Sequence, residues 1–266
     1  MTDAPASTLT GWSRAPFTGA GMTYDCFEKG SGPGVVLIPE IPGITPEVLG
    51  LADHLVDEGF TVVIPSPFGV PGKPMTPGYT IGTVARLCVS SEFRAFAVGV
   101  HRPISDYLRA VASDLAERTP GSGVGVIGMC FTGGFALALA VDDSVRASVL
   151  SQPGMPFPIS RARRLDATVS AEEFDRIAER AAAGEVCALG LRFSEDRAVP
   201  RERFATISKR LGDAFEVIEL DSSKGNAGGF GSTAHSVLTS EVRDVPGHPA
   251  LAARERVVAF LKERIA

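Results

Sequence analysis

The sequence predicts an α/β fold with a mostly parallel central sheet and helices on both faces. Three observations carry that expectation. Short continuous apolar runs such as Val35-Val36-Leu37-Ile38 suit parallel strands that are covered on both sides. Helical patterns alternate with those runs along the chain, as in a succession of βα units. The 266 residues, 44% of them hydrophobic, suffice for one large core, so residues 1–266 are expected to form one domain.

The elements follow in order. Residues 1–20 are rich in Pro, Ser, Thr and Gly and read as an irregular lead-in, with Trp12 and Phe17 pinned on the core's surface. Met22 to Phe27 forms an early strand. The turn Gly30-Ser31-Gly32-Pro33-Gly34 delivers the strand Val35 to Ile38, which ends at Pro39-Glu40-Ile41-Pro42-Gly43. A helix runs from about Pro46 to Glu58, opened by a tolerated proline and closed by Gly59. After the strand Thr61 to Ile64, residues 65–103 lack clear periodicity and are dense in Pro and Gly at first. They read as a long excursion that shapes a binding site. Apolar residues at 104, 107, 108, 111 and 115 mark one helix face. Beyond the central glycine-rich stretch, Ala147 to Leu150 is a strand, and Ser170-Ala171-Glu172-Glu173 is a capping box opening a helix to about Ala183. Val186 to Leu191 is a buried strand, Pro200 starts a helix, Phe215 to Leu220 alternates like a strand near an edge, and Leu251 to Ile265 closes the chain as a helix.

Composition narrows the function. A net charge of −5 and the lack of a Lys/Arg cluster argue against a nucleic-acid or acidic-membrane partner and leave small neutral or anionic ligands. No signal-peptide pattern opens the chain and no apolar run spans a bilayer, so a cytoplasmic protein is expected. Cys26, Cys88, Cys130 and Cys187 have neither disulfide-scaffold nor metal-ligand spacing, and no dinucleotide fingerprint follows the first apolar strand. No metal or cofactor is expected.

The chemistry is expected at Val124 to Ala140, which reads strand, tight turn, helix. Cys130 falls at the corner, where a nucleophile elbow pushes its side chain outward, while Gly128, Gly133 and Gly134 relieve crowding. The alternative is a buried structural cysteine beside a glycine-rich turn. An elbow takes its acid and then its base from later in the chain. Only His235 and His248 follow Cys130; His235 is favoured, because His248 has a ready place at the start of the last helix. For the acid, Asp196 is favoured over its neighbour Glu195 in the loop after a strand's C-terminal end. The backbone N–H groups of Phe131 and Ile41 are the expected oxyanion donors.

Four stretches in this order resemble the dienelactone hydrolase family of α/β-hydrolases: Pro39-Glu40-Ile41-Pro42-Gly43, Gly128-Met129-Cys130-Phe131-Thr132-Gly133-Gly134, Glu195-Asp196-Arg197-Ala198-Val199-Pro200 and Ala234-His235-Ser236. The resemblance covers most of the chain from about Gly34. It implies an α/β-hydrolase fold, a Cys130-His235-Asp196 triad, and oxyanion amides at Ile41 and Phe131. It further implies that Glu40 meets the thiol of the resting nucleophile. Two positions differ from the family: Thr132 replaces a glycine, with the Gly pair displaced by one, and Thr239 stands where an arginine binds the dienelactone carboxylate. Arg86 and Arg94 in the excursion are the candidates to restore a cation, against the plainer reading of solvated arginines. The expected activity is hydrolysis of a small-molecule lactone or ester through a thioester, by a monomer or small homo-oligomer. A carboxylesterase or thioesterase of this fold, or a non-catalytic ligand-binding relative, is the alternative.

Overall fold

The computed structural model describes residues 3–266. Its centre is one eight-stranded sheet with the order β1-β2-β4-β3-β5-β6-β7-β8. The strands are β1 (Ser13–Gly19), β2 (Met22–Lys29), β3 (Gly34–Ile38), β4 (Thr61–Pro65), β5 (Val124–Met129), β6 (Val145–Ser151), β7 (Cys187–Phe193) and β8 (Phe215–Leu220). β1 pairs antiparallel with β2 and β2 with β4; every later pairing is parallel. β3, β4 and β5 are buried along their whole length, as their unbroken apolar runs require of strands covered on both faces.

The helices are α1 (Pro46–Asp57), α2 (Pro77–Val89), α3 (Pro103–Arg118), α4 (Gly133–Leu139), α5 (Arg161–Leu165), α6 (Ala171–Ala182), α7 (Arg201–Leu211) and α8 (Pro249–Ile265). They leave two apolar layers, one on each side of the sheet. Tyr107, Leu108, Phe135 and Ile207 sit in one; Leu51, Leu55, Val257 and Leu261 sit in the other. At α6 the capping box forms as the sequence expects: Glu173 N–H donates to Ser170 Oγ, and Ser170 N–H donates to the Glu173 carboxylate.

Two expectations need correction. Residues 13–19 form β1 instead of part of an irregular lead-in; residues 1 and 2 lie outside the described residues. As an exposed edge strand, β1 needs no apolar alternation and tolerates Pro16. Within the 65–103 excursion, residues 77–89 form α2, capped by Thr76 Oγ1, which accepts from Tyr79 N–H. Only Thr83 and Leu87 of this helix are buried, so it carries no apolar stripe to betray it.

Among the described residues, no helix is long and apolar enough to cross a membrane, and no group of three or more His, Cys, Asp or Glu side chains is placed to hold a metal ion.

Candidate active site

Cys130 directly follows β5 and opens a short helical turn, Cys130–Thr132, that leads into α4. Its φ is +54, a left-handed conformation that residues with a side chain rarely adopt, and this is the strain expected of a sharp strand-to-helix corner. The neighbouring glycines are needed for space. An added Cβ would stand 2.5 Å from Thr132 O at Gly128, 2.6 Å from Pro153 Cα at Gly133, and 2.2 Å from Thr168 Oγ1 at Gly134. Thr132, the departure from the family's glycine, is fully buried. Its hydroxyl accepts from Met129 N–H at 3.0 Å and faces the carbonyls of Met129, Ile38 and Pro39 at 2.9–3.2 Å. The threonine thereby ties the corner to the end of β3, where Glu40 and Ile41 begin.

On the far side of the corner, His235 lies in the long connection between β8 and α8, and Asp196 in the loop after β7. His235 Nδ1 and Asp196 Oδ2 are 2.6 Å apart. Asp196 is buried, and its Oδ1 accepts from Ala198 N–H at 2.9 Å, which fixes the carboxylate. Glu195 beside it is exposed. Burial alone pulls the imidazolium's pKa down; interaction with the neighbouring Cys130 sulfur and the hydrogen bond and charge of Asp196 outweigh it, so the His235 pKa lies well above 6.5. His248 takes the other place considered for it, at the N-cap of α8, where its ring packs edge-on against Phe230 at 5.2 Å; its side chain does not cap the helix.

Glu40 is 2% exposed. Its Oε2 accepts from Ser236 Oγ at 2.8 Å and from Gln152 Nε2 at 3.2 Å, and its Oε1 accepts from the Thr239 hydroxyl. The Cys130 thiol makes no hydrogen bond to this carboxylate here. Thr239 reaches it as a short neutral donor and, with Ser236, holds it against the histidine loop. Burial raises the Glu40 pKa, and the hydrogen bonds and the nearby His235 only partly oppose this. Ser236, Thr239 and Gln152 are partners of Glu40 that sequence reasoning missed in this role, because nothing local to any of them announces a partner on another loop.

The Phe131 N–H is one of the first amides of the turn after Cys130, and such groups have no partner within their own helix. Ile41 is buried in the same apolar layer as Phe131. Arg86, on α2, lines a cleft of about 540 Å³ with Phe68, Lys73, Tyr79, Leu87 and Phe93. Cys130 is not among its lining residues; Phe93, which lines it, has its ring 5.6 Å from that of Phe131. Arg94 is exposed and donates to the His101 carbonyl at 3.3 Å, outside that cleft.

Comparison with known proteins adds three findings. The dienelactone hydrolase family model matches residues 22–263. A carboxymethylenebutenolidase of Rhodococcus opacus is 32% identical over 113 residues, a match covering 42% of this chain and 40% of that protein. Among solved structures, a dienelactone hydrolase-like promiscuous phosphotriesterase from metagenomic libraries is 18% identical with a TM-score of 0.65, over 96% of this chain and 98% of that one. A dienelactone hydrolase from Anabaena variabilis is 11% identical with a TM-score of 0.56, over 96% and 98%. At these identities the two structures bear on the fold alone.

Proposed function

Because the chain belongs to the dienelactone hydrolase family, we propose that it hydrolyses a lactone or ester through a thioester on Cys130, with His235 as proton carrier and Asp196 as the group that orients it. The observation that carries this reading is a strained cysteine at the end of β5 whose side chain interacts with His235, a histidine whose Nδ1 is held by a buried carboxylate 2.6 Å away. Asp196 fixes the tautomer and stabilises the imidazolium, and the imidazolium in turn stabilises a thiolate.

In the first half-reaction the Cys130 thiolate attacks the carbonyl carbon, and the carbonyl electron pair moves onto oxygen. The backbone N–H groups of Phe131 and Ile41 are the donors proposed for that oxyanion. Collapse re-forms the carbonyl and expels the alcohol oxygen, which takes the proton from His235. In the second, neutral His235 removes a proton from water as its oxygen attacks the thioester. Collapse then releases the carboxylic acid and returns the thiolate with its imidazolium.

The test is hydrolysis of p-nitrophenyl acetate and a panel of lactones by the wild type and by Cys130→Ala. The variant is expected to fall to the background rate while folding normally, and acid-quenched wild type to carry the acyl group on Cys130 in the mass spectrum. Wild-type rates in the variant would overturn the reading; a wild type without activity above background would favour a non-catalytic ligand-binding relative.

A further inference from the structure

Gln152 is the first residue after β6 and is completely buried. Its backbone φ is +36, again a conformation uncommon outside glycine. Strain at a buried polar residue persists only where the surroundings over-determine it. Here they do so on every side. The backbone N–H donates to Leu191 O at 2.8 Å, carrying the β6-β7 pairing one step past the strand. The side-chain oxygen accepts from Val237 N–H at 3.3 Å and from the Ser151 hydroxyl. The side-chain nitrogen donates to Glu40 Oε2 at 3.2 Å.

These contacts fix which end of the amide is which. A backbone N–H can only donate, so the atom facing Val237 is the oxygen, and the nitrogen must face Glu40. Glu40 immediately precedes Ile41, and Val237 lies two residues after His235. Two residues after Gln152, Gly154 N–H donates to the carbonyl of Cys130 at 2.9 Å. One side chain thus spans the loop after β3 and the histidine loop, from a segment bonded to the nucleophile's own backbone.

The geometry points to Gln152 as a positioning residue for His235, acting through Val237 N–H and through the carboxylate of Glu40 that it orients. The role rests on the reading of Cys130 and His235 given above. Removing the amide leaves the Val237 N–H without its partner and Glu40 without one of its three donors, so the histidine loop loses two of its tethers. The imidazole then spends less time aligned with the Cys130 sulfur, which lowers kcat and leaves substrate binding almost unchanged.

Two substitutions distinguish positioning from mere filling of space. Gln152→Met keeps the approximate volume and removes all three side-chain hydrogen bonds. Gln152→Glu keeps the acceptor for Val237 N–H but replaces the donor by a carboxyl facing Glu40. At high pH the two buried carboxylates repel; at low pH a proton held between them recreates the missing donor. We expect kcat to fall about tenfold or more in Gln152→Met, with KM changed by no more than about twofold. In Gln152→Glu we expect kcat, relative to wild type at the same pH, to recover as pH falls from about 8 to about 5.

Wild-type kcat in folded Gln152→Met overturns the proposal, as does a loss in Gln152→Glu that is flat with pH. If Gln152→Met fails to fold, the pH dependence of Gln152→Glu decides alone; if neither folds, Gln152 is a folding residue and the proposal fails. Cys130→Ala run beside them separates the two readings: full activity there defeats the nucleophile assignment, whereas an inactive Cys130→Ala with an unaffected Gln152→Met defeats only the role of Gln152.

Discussion

Glu40 is a buried carboxyl whose three side-chain partners are Ser236, Thr239 and Gln152, all neutral. Burial holds its pKa above 4.5. The protonated form therefore favours the fold, fully so below pH 4.5, and this contribution is lost as pH rises through the raised folded value. Glu40→Gln keeps the shape and cannot ionise, and the two hydroxyls can turn to suit an amide. The melting temperature of the variant should thus gain on that of the wild type as pH rises from about 4.5, while kcat/KM falls by more than about tenfold, roughly 1.4 kcal/mol of transition-state stabilisation. Parallel stability curves across that range would remove the argument from burial. At His235 the sign is the same but the cause differs, since the neighbouring Cys130 sulfur and the Asp196 carboxylate overcome desolvation. Protonated His235 stabilises the fold below pH 6.5, and that stability disappears as pH climbs through the raised value. Cys130→Ala removes one of the two partners, so the His235 ring, followed by NMR, should titrate at lower pH in the variant than in the wild type. An unchanged or higher midpoint would mean that the thiol does not act on the imidazole.

At the scale of elements, Ser170 gives a clean measure of local design. Its hydroxyl satisfies an otherwise free N–H of α6, and Ser170→Ala should cost about 1 kcal/mol in urea denaturation without altering hydrolysis. No shift in midpoint would show that α6 is held by packing alone. The capping box was legible in the sequence because it is local. So were β3 and β5, whose apolar runs leave little alternative to a buried strand, and the corner at Cys130, where three glycines crowd one turn. β1 and α2 were illegible for the opposite reason: one is an exposed edge and the other buries two residues, so neither imposes a hydrophobic period. The candidate site divides in the same way. Chain order pointed to Asp196 and His235, although 39 residues separate them. The hydrogen bonds from Gln152, Ser236 and Thr239 to Glu40 span 112 residues or more and follow only from the packing of loops.

For the whole molecule, charge decides which substrates suit the site. A buried substrate carboxylate needs a charge-assisted partner contributing about 1.5–3 kcal/mol, and costs more if it has none. Thr239 supplies no charge: it is 2% exposed, and its hydroxyl is committed to Glu40, itself an acid. Arg94 does not line the cleft and donates to the His101 carbonyl, and Arg86 and Lys73 line a cleft that Cys130 does not. The net charge of −5 adds a long-range repulsion of anions. The two effects differ in their response to salt, because exposed charges are screened beyond about 10 Å at 0.1 M ionic strength whereas a missing local partner is not. Neutral lactones and short esters should therefore show higher kcat/KM than matched carboxylate-bearing ones. Added salt should narrow that gap and leave a remainder, and the remainder measures the local term. A preference for the carboxylate-bearing lactone that Arg86→Ala abolishes would reverse the argument and make the cleft beside α2 the site of carboxylate recognition.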